Sequence, residues 1–457
     1  MHTPHCSIII LSYNQLSYTK QCLESIRRYT RDIEYEIIIV DNASNAETIQ
    51  YLDTIEDIIL LKNPSNMGFA GGCNQGIAIA KGDYILLLNN DTIVTHRWLF
   101  NMVTYLEEHR EIDMIGPLTN ATVGKQMIQV PYNDDLEQMQ EFASTIAESD
   151  ASAWHTLRLV AFCLLLRRSL IDEIGIFDTG FAIGNYEDDD YNIRALCAGK
   201  KAVICRNSFI HHFMNVSFTH KDINREQIMM TNKLRLEDKW QGMNWNHHAV
   251  CNQYVLNKIL EQDGRQILQI GCGLGALAIE LKDKQPAMYV VGIEDHPIRR
   301  QIAARFLDEV YEENQDSHVI EMLVETHRRF DSILIECMIE KLGLTLLEKI
   351  KPLLKPNTQI LLRVFNIRHI TTMERLVTGE VGGRLLCASS QEFTYHYGAE
   401  IKAQIEAQGY IIREVQEVKK TLSAVQEDLL TGFNEYPKYQ IDARVYNRIY
   451  CITYAER

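Results

Sequence analysis

The sequence lacks the features that would place the chain in a membrane or on a nucleic acid. No apolar run approaches the roughly eighteen residues of a membrane-spanning helix, and residues 1–6 lack the charged and apolar regions of a signal peptide. Lys and Arg number 46 against 61 Asp and Glu, which gives a formal net charge of -15. Because nucleic acids and anionic membranes are bound through positive charge, we expect a cytoplasmic protein with no transmembrane segment and no nucleic-acid partner.

Paired cysteines are also missing. The eleven cysteines include no CxxC pair, so the sequence predicts neither a zinc site nor a disulfide framework. An apolar fraction of 46% and a charged fraction of 23% are typical of a soluble globular protein. At about 100–200 residues per domain, a chain of 457 residues should contain two or three domains.

What is present is an alternation of strand-like and helix-like segments that runs through the chain twice. The first series begins at Ser7–Leu11 and the second begins near Arg265. Strands that alternate with helices indicate βαβ units around a mostly parallel sheet. We therefore predict an α/β chain of two doubly wound Rossmann-like modules, residues 1–245 and residues 246–457.

Two stretches between the regular elements carry their own predictions. Residues 133–141 are polar and acidic, and we interpret them as a surface excursion of the first module. Gly242 in "KWQGMNW" can end a helix, which puts the module boundary near residue 245. A helical lead-in over about residues 247–262 then begins the second module.

The stretch "YILLLNNDTIV", residues 84–94, ends an apolar strand on Asn89, Asn90 and Asp91. Ligands of open α/β sheets bind at the carboxyl ends of the strands, so polar residues at such an end are candidates for binding. Asn and Asp are also turn formers, and a simple turn is the alternative.

Two further patterns have both a functional and a structural interpretation. The run "NMGFAGGCNQG" can bring backbone N–H groups close to an anion at a helix start, or it can be a glycine-rich turn. Glu187, Asp188, Asp189 and Asp190 form an acidic run. Crowded carboxylates raise one another's pKa, as a general base requires, but a charged run is more often a solvated face.

Four motifs occur in one order: "SIIILSYNQLSYTKQCLESI", "EIIIVDNASNAET", "NPSNMGFAGGCNQGIAIAKGDYILLLNNDT" and "NYEDDDYNIRALCAGKK". Together they resemble the family 2 inverting glycosyltransferases of the GT-A fold, closest to the rhamnosyltransferase-like members, over about residues 5–240. The resemblance implies a nucleoside-diphosphate sugar donor and a glycan, lipid-linked saccharide or glycoprotein acceptor. It also implies Mn²⁺ or Mg²⁺, because the diphosphate's charge must be neutralised and the chain has no obvious lysine cluster.

The resemblance assigns roles to individual residues. Asp188 is the implied catalytic base, and Asp91 and His212 are the implied metal ligands, with Asn89 in place of the first aspartate of the family's Asp-x-Asp motif. Phe162 stands where the family usually has alanine, on a strand that borders the sugar in relatives. The implied donor-binding residues are Ser12, Tyr13, Asn14, Asp41, Asn66, Gly68, Asn74, Asn89, Asn90 and Glu187.

In the second module, "ILQIGCGLG" predicts a strand followed by Gly271, Gly273 and Gly275. This spacing, with Ala276 in place of a further glycine, resembles the class I S-adenosylmethionine-dependent methyltransferases over about residues 250–457. The resemblance implies that the three glycines bind S-adenosylmethionine and that Glu294 accepts its ribose hydroxyls.

The second resemblance has departures. Gln269 stands where relatives usually carry an acid and Lys341 where they carry a histidine, and Leu386 and Ser389 replace a polar Asp and His pair. His396 could substitute as a base, although a structural role is the simpler interpretation. The first hypothesis is a glycosyltransferase fused to a methyltransferase. The alternative is a single-activity glycosyltransferase whose C-terminal half is a non-catalytic binding or dimerisation module, which would make a homodimer.

Overall fold

The computed structural model describes residues 5–133, 135–181, 183–214, 225–312, 318–336, 345–365, 398–419 and 445–454. The chain divides into two compact units, Met1–Val250 and Cys251–Arg457. The division lies slightly beyond the predicted boundary because Trp245 is buried in the first unit, where its indole N–H donates to Asp189. Among the described residues, no helix combines the length and the apolar character needed to cross a bilayer.

The first unit alternates strands and helices from its start. Its strands are β1 His5–Ser12, β2 Glu34–Asp41, β3 Ile59–Lys62, β4 Tyr84–Asn89, β5 Thr92–Val94, β6 Met114–Thr119, β7 Ala153–Thr156, β8 Cys163–Arg167 and β9 Ala202–His212. Its helices are α1 Leu16–Tyr29, α2 Ala46–Asp53, α3 Gly68–Ile79, α4 Trp98–Glu108, α5 Leu136–Ala147, α6 Arg168–Ile174, α7 Glu187–Cys197, α8 Arg225–Lys239 and α9 Trp245–His248.

Helices cover both faces of the first sheet because successive strand side chains point to opposite sides. In β1, Ile8 and Ile10 pack in one apolar cluster with α1 and α4, whereas Ile9 packs in another with α3 and α7. Each cluster contains fully buried aromatic rings, Trp98 on the first side and Tyr191 on the second. The α/β class is therefore confirmed for this unit.

The first sheet is mixed, so the prediction of a mostly parallel sheet was wrong. Its order is β3-β2-β1-β4-β8-β6-β9-β5, and β7 pairs with β9. Strands β1 to β4 are parallel to their neighbours among themselves, but β8 runs antiparallel to both β4 and β6. Apolar periodicity reports which side chains are buried, and it carries no information about strand direction.

The predicted surface excursion at residues 133–141 was also wrong in part, since helix α5 begins at Leu136. Asp135 caps this helix by accepting hydrogen bonds from the N–H groups of Glu137 at 2.9 Å and Gln138 at 3.1 Å. Met139 and Ala143, one turn apart, bury the helix against the sheet. Most of its other side chains are polar, which concealed the apolar stripe.

The second unit contains a seven-stranded sheet in the order β12-β11-β10-β13-β14-β16-β15. Its strands are β10 Gln266–Ile270, β11 Tyr289–Glu294, β12 Glu309–Glu312, β13 Phe330–Ile335, β14 Leu354–Phe365, β15 Tyr410–Lys419 and β16 Val445–Tyr454. Its helices are α10 Gln253–Leu260, α11 Ala276–Lys284, α12 Pro297–Ala303, α13 Val319–Glu325, α14 Thr345–Ile350, a 3-10 turn Lys351–Leu353 and α15 Gly398–Ala407.

The first five strands of this second sheet are parallel and follow the chain order 3-2-1-4-5. That order is shared with the Rossmann fold. Strand β16 departs from it, because it runs antiparallel to both β14 and β15. The second sheet is therefore mixed as well. The glycine loop follows β10, the central strand of its parallel part.

Candidate active site

A cavity of about 450 Å³ lies in the first unit at the carboxyl ends of β1, β2 and β4. The first turn of α7 and the end of β9 also line it. Nine of the predicted residues are among its lining side chains: Tyr13, Asn66, Gly68, Asn89, Asn90, Asp91, Glu187, Asp188 and His212. The other four predicted residues of this unit are not: Ser12, Asn14, Asp41 and Asn74.

Asp91 and His212 meet at one side of the cavity. Both side chains are buried, and Nε2 of His212 lies 3.3 Å from Oδ1 of Asp91. Nδ1 of the same imidazole lies 2.9 Å from the carbonyl oxygen of Ala121, which can only accept a hydrogen bond. In a neutral ring the proton therefore sits on Nδ1, and a lone pair on Nε2 faces the carboxylate.

This arrangement fits a shared divalent cation. Two adjacent ligands of an octahedral ion lie roughly 3 Å apart when each bond is about 2.1 Å, close to the separation of Asp91 and His212. No cluster of three His, Cys, Asp or Glu side chains suited to a metal occurs among the described residues. The remaining ligands would then be phosphate oxygens and water, as is usual for Mg²⁺ at phosphate-transfer sites.

Two members of the acidic run are paired with basic and indole side chains. Asp189 accepts a hydrogen bond from Arg158 at 2.7 Å and another from the indole N–H of Trp245 at 2.7 Å. Burial raises the pKa of Asp189 to about 7, although the charge of Arg158 lowers it. Asp190 is fully buried and contacts Arg194, Trp240 and Lys239. Neither carboxylate is therefore available to a substrate hydroxyl.

Glu187 and Asp188 line the cavity together with Asp189. Asp188 is partly exposed, and its two oxygens accept hydrogen bonds from the N–H groups of Ala161 at 3.2 Å and Asp189 at 2.9 Å. Glu187 is buried, and its Oε2 has no hydrogen-bond partner. Burial, and then the charges of Asp188 and Asp189, raise the pKa of Glu187 well above its ordinary value of 4.5.

The raised pKa of Glu187 predicts a pH-dependent cost in stability. Above its ordinary pKa the unfolded chain releases a proton that the folded protein retains, so stability falls by about 1.4 kcal/mol per pH unit until the folded-state pKa is reached. Glu187→Gln should therefore raise the melting temperature at pH 8 and have little effect near pH 4.5. Scanning calorimetry across this range tests it, with the exposed Glu141→Gln as control; an effect of Glu187→Gln that is independent of pH would contradict it.

The polar residues at the end of β4 line the cavity and also make hydrogen bonds within the fold. The backbone N–H of Asn89 donates to the carbonyl of Phe162 at 2.8 Å, so its side chain is the part left to the cavity. The side-chain amide of Asn90 donates to Thr19 at 3.0 Å and anchors β4 to helix α1. The polar strand end thus lines the cavity, and Asn90 also has a structural role.

Residues at the ends of β1 and β2 include two buried oxygen atoms that lack a partner, Oγ of Ser12 and Oδ1 of Asp41. The other carboxylate oxygen of Asp41 accepts the N–H of Ser44 at 3.1 Å. Asn14 is occupied locally, since its side chain accepts the N–H of Asn45 at 2.8 Å. A donor-binding role for Ser12 and Asp41 stays a prediction, supported by their unpartnered oxygens.

The glycine run serves packing as well as the cavity. Gly68 has a φ of +72°, and a Cβ there would lie 3.1 Å from the backbone of Ile183. Asn66 accepts the N–H of Gly68 at 2.8 Å and so shapes the start of α3. The amide of Asn74 is instead bound to both backbone groups of Phe177, at 2.9 and 2.8 Å. Its predicted contact with the donor would require these two bonds to break.

Sequence reasoning missed Arg158 and Asn120. Arg158 lines the cavity and pairs with Asp189, but it follows a stretch of mixed periodicity that gave no signal. Asn120 directly follows the apolar strand β6, which is the same signal that singled out Asp91 after β4. A systematic search for polar residues after buried strands would have found Asn120.

In the second unit, Gly271, Gly273 and Gly275 all have positive φ, at 81°, 57° and 88°. Glu294 is buried at the end of β11, and its Oε2 accepts the N–H of Gly273 at 2.7 Å. Its Oε1 accepts hydrogen bonds from the N–H of His296 at 3.0 Å and from Arg299 at 2.7 Å. Both oxygens of the predicted ribose acceptor therefore already accept hydrogen bonds, from the glycine loop after β10 and from the segment that follows β11.

Gln269, the noted departure from the methyltransferase pattern, donates from its side chain to Glu336 at 3.0 Å. Glu336 also lies 3.2 Å from Nη1 of Arg363. The carboxylate of Glu336 therefore lies beside Gln269 at the ends of the parallel strands, although Gln269 itself is neutral. Lys341, Leu386, Ser389 and His396 lie outside the described residues.

Comparison with known proteins shows which family the first unit is similar to. Residues 7–175 match the family model described as Glycosyl transferase family 2. This part of the first unit is therefore similar to the family 2 glycosyltransferases. The match includes β1 to α6 and therefore Asp91, whereas Asp188 on α7 and His212 on β9 lie beyond it.

Two relatives show how much of the chain is shared. The uncharacterized glycosyltransferase MJ1057 of Methanocaldococcus jannaschii is 34% identical over 120 residues, which cover 25% of this chain and 41% of that protein. The uncharacterized glycosyltransferase YwdF of Bacillus subtilis is 28% identical over 198 residues, which cover 41% of this chain and 67% of that protein. Because the chain spans less than half of MJ1057, the activity of the whole protein is a matter for proposal.

Among solved structures, the crystal structure of GalNAc-T7 with UDP, GalNAc and Mn²⁺ aligns with a TM-score of 0.43. The alignment is 15% identical and covers 56% of this chain and 51% of that one. A likeness at this level supports no inference about activity. The family match and the curated relatives are what indicate a glycosyltransferase.

Proposed function

We propose that the first unit is a metal-dependent, inverting glycosyltransferase. It would move a sugar from a nucleoside-diphosphate sugar to a glycan, lipid-linked saccharide or glycoprotein acceptor. One observation carries the proposal: Asp91, His212 and Asp188 are far apart in the sequence but line one cavity. That cavity lies at the carboxyl ends of parallel strands, where open α/β sheets bind their ligands.

Asp91, His212 and Asp188 have separate roles in the proposed reaction. Asp91 and His212 would hold Mn²⁺ or Mg²⁺, which when bound neutralises the charge of the diphosphate leaving group. A carboxylate oxygen of Asp188 takes the proton of the acceptor hydroxyl, and the hydroxyl oxygen forms a bond to the anomeric carbon. The bond to the diphosphate oxygen breaks on the opposite face, and its electron pair leaves with the diphosphate. Attack from the face opposite the diphosphate inverts the anomeric configuration.

Asp188 is favoured as the base over its neighbours for reasons of geometry. Asp189 and Asp190 are paired with cationic side chains and tryptophan N–H groups. Glu187 lines the cavity, but it is buried, and burial raises its pKa well above its ordinary value of 4.5, which favours the protonated form that cannot act as a base. Asp188 is held in one orientation by two backbone N–H groups and is partly exposed to the cavity.

The experiment that tests this function measures nucleoside-diphosphate release. The full-length protein is incubated with Mn²⁺, a panel of nucleoside-diphosphate sugars and saccharide acceptors, beside its Asp188→Asn variant. Release by the wild type that clearly exceeds release by the variant supports the proposal. Equal release by both proteins with every donor contradicts it.

We also propose that the second unit binds S-adenosylmethionine at the loop of Gly271, Gly273 and Gly275. Support comes from the Rossmann order of its five parallel strands and from the hydrogen bond that joins Glu294 to this loop. When bound, the cofactor would supply a methyl group. Fusion to a glycosyltransferase would raise the effective concentration of a shared saccharide. The competing proposal is a non-catalytic binding or dimerisation module.

Calorimetry with S-adenosylmethionine separates these two proposals. The wild type should bind saturably, and Glu294→Ala should lose the binding because it removes the acceptor of the ribose hydroxyls. Arg299→Ala is the matched control, since it breaks the same ion pair but leaves the carboxylate. It should bind the cofactor at least as tightly as the wild type, because one competitor for Oε1 of Glu294 is gone.

Two outcomes would contradict the cofactor proposal. If none of the three proteins releases or absorbs heat with S-adenosylmethionine, and each is shown to be folded by circular dichroism, the non-catalytic module is the remaining proposal. Equal loss of binding in Glu294→Ala and Arg299→Ala would mean that the ion pair merely holds the loop together.

A further inference from the structure

Three contacts from one short segment converge on His212. The side chain of Asn120 accepts the backbone N–H of His212 at 2.8 Å and donates to its carbonyl oxygen at 3.2 Å. The carbonyl of the next residue, Ala121, receives the hydrogen bond of the imidazole Nδ1. Because a backbone N–H can only donate and a carbonyl can only accept, these partners fix the orientation of the Asn120 amide.

The amide of Asn120 extends the sheet beyond the end of a strand. Strand β6 runs parallel to β9, and their pairing ends at Thr119 opposite Ile210. On its other side β9 pairs with β5, where His212 lies opposite Thr92 next to Asp91. The side-chain amide of Asn120 therefore replaces the backbone of β6 as the partner of His212, which keeps the end of β9 in the sheet.

A fourth contact acts on the ring itself. The phenyl ring of Phe162 stacks on the imidazole of His212, with ring centroids 5.1 Å apart and an interplanar angle of 14°. Phe162 is 2% exposed, so it offers the imidazole a rigid apolar surface. Backbone, Nδ1 and ring plane are thus all restrained, and Nε2 is the part of the imidazole directed at Asp91.

We propose that Asn120 and Phe162 are positioning residues that hold His212 in the geometry for binding a divalent cation together with Asp91. The inference rests on the proposed metal-dependent function of this cavity. Residues that orient a metal-binding histidine typically change metal affinity by about 10- to 100-fold when they are removed. In this role neither residue contacts the cation, although Phe162 also lines the cavity.

The chain contains a matched control for Asn120. Asn74 makes the same pair of hydrogen bonds to the backbone of Phe177, at 2.9 and 2.8 Å, and Phe177 is not a proposed ligand. Asn120→Ala and Asn74→Ala remove equivalent bonds, so both should lower the melting temperature by similar amounts. Only the first should change the affinity for Mn²⁺.

The test is a titration of the full-length protein with Mn²⁺, in which electron paramagnetic resonance measures the free ion. We expect about 10- to 100-fold weaker binding by Asn120→Ala and unchanged binding by Asn74→Ala. Phe162→Leu keeps an apolar side chain but removes the stacked ring, and it should also weaken binding. At saturating Mn²⁺, sugar transfer by Asn120→Ala should recover towards the wild-type rate, which a variant damaged in its fold would not do.

The alternative outcomes are distinct. Wild-type affinity in both Asn120→Ala and Phe162→Leu would overturn the inference while leaving the metal site in place. Equal weakening by Asn120→Ala and Asn74→Ala would also overturn it, because a general loss of stability would then explain the effect. A wild type that binds no Mn²⁺ would overturn the inference together with the metal dependence of the proposed function. If Asn120→Ala does not fold, the result with Phe162→Leu decides.

Discussion

Asp188→Asn should lower the rate of sugar transfer by about 10²- to 10⁴-fold, the usual contribution of a general base. An asparagine side chain cannot take the proton of an acceptor hydroxyl, but its carbonyl oxygen can still accept the N–H of Ala161 or Asp189. The fold and the affinity for nucleotide and Mn²⁺ should therefore be nearly unchanged. Steady-state rates of nucleoside-diphosphate release, with calorimetry for binding, measure both quantities.

Asp190→Asn on the same helix is the matched control for this substitution. Asp190 is fully buried against Arg194 and Lys239, so its replacement should lower the melting temperature while transfer continues at a rate close to that of the wild type. If Asp188→Asn abolished nucleotide or Mn²⁺ binding, Asp188 would be a ligand and not the base. If Asp190→Asn lowered the rate as strongly, the run would act as one structural unit.

Removal of divalent cations should stop transfer altogether. EDTA should reduce nucleoside-diphosphate release to the level without enzyme, and an excess of Mn²⁺ should restore it, because Asp91 and His212 can supply only part of the cation's ligands. EDTA already saturated with Mn²⁺ is the control for other effects of the chelator. Transfer that continues undiminished in EDTA would remove the role proposed for Asp91.

Two neighbouring histidines allow the same prediction to be made at the level of one residue. His212→Ala should weaken Mn²⁺ binding by roughly 100-fold or more, since a direct ligand should matter at least as much as the residues that orient it. His211→Ala should not, because Nδ1 of His211 is 2.9 Å from the hydroxyl of Tyr132 and belongs to an aromatic cluster. Equal effects of both substitutions on Mn²⁺ affinity would contradict the assignment of His212.

The local elements were predictable because their signals are local. Alternating apolar residues in β1 and β2 and the polar end of β4 mark strands wherever the strands eventually pair. For that reason the sequence could place Asp91 at the edge of a sheet where ligands bind. It could equally have drawn attention to Asn120 at the end of β6, since the pattern is the same.

The sequence could not show how the acidic run is divided. Its four carboxylates occupy consecutive positions at the start of one helix, so their side chains point in different directions. Asp189 and Asp190 meet cationic and indole groups from distant parts of the chain, whereas Asp188 lines the cavity with its oxygens bound to backbone N–H groups. All four residues are acidic and consecutive in the sequence, and only their surroundings in the fold distinguish them.

Glu294 shows the same limit in the second unit. Its position at the end of β11, about twenty residues after the glycine loop, was predictable from the spacing of strand and loop. Its bond to Gly273 and its ion pair with Arg299 are not properties of a motif, since they depend on how the following helix packs. In the structure, a bound ribose would therefore have to compete with Arg299 for the carboxylate of Glu294.

The sequence by itself determined the α/β class, the two series of strands and helices, and the strand end that carries Asp91. These follow from periodicity and turn chemistry, which act over a few neighbouring residues. Only the tertiary structure decided that β8 runs antiparallel, that His212 meets Asp91, and that Asn120 completes the sheet beside it. Each of these depends on segments far apart in the chain whose relative positions are set by packing of the whole unit, and no local pattern encodes them.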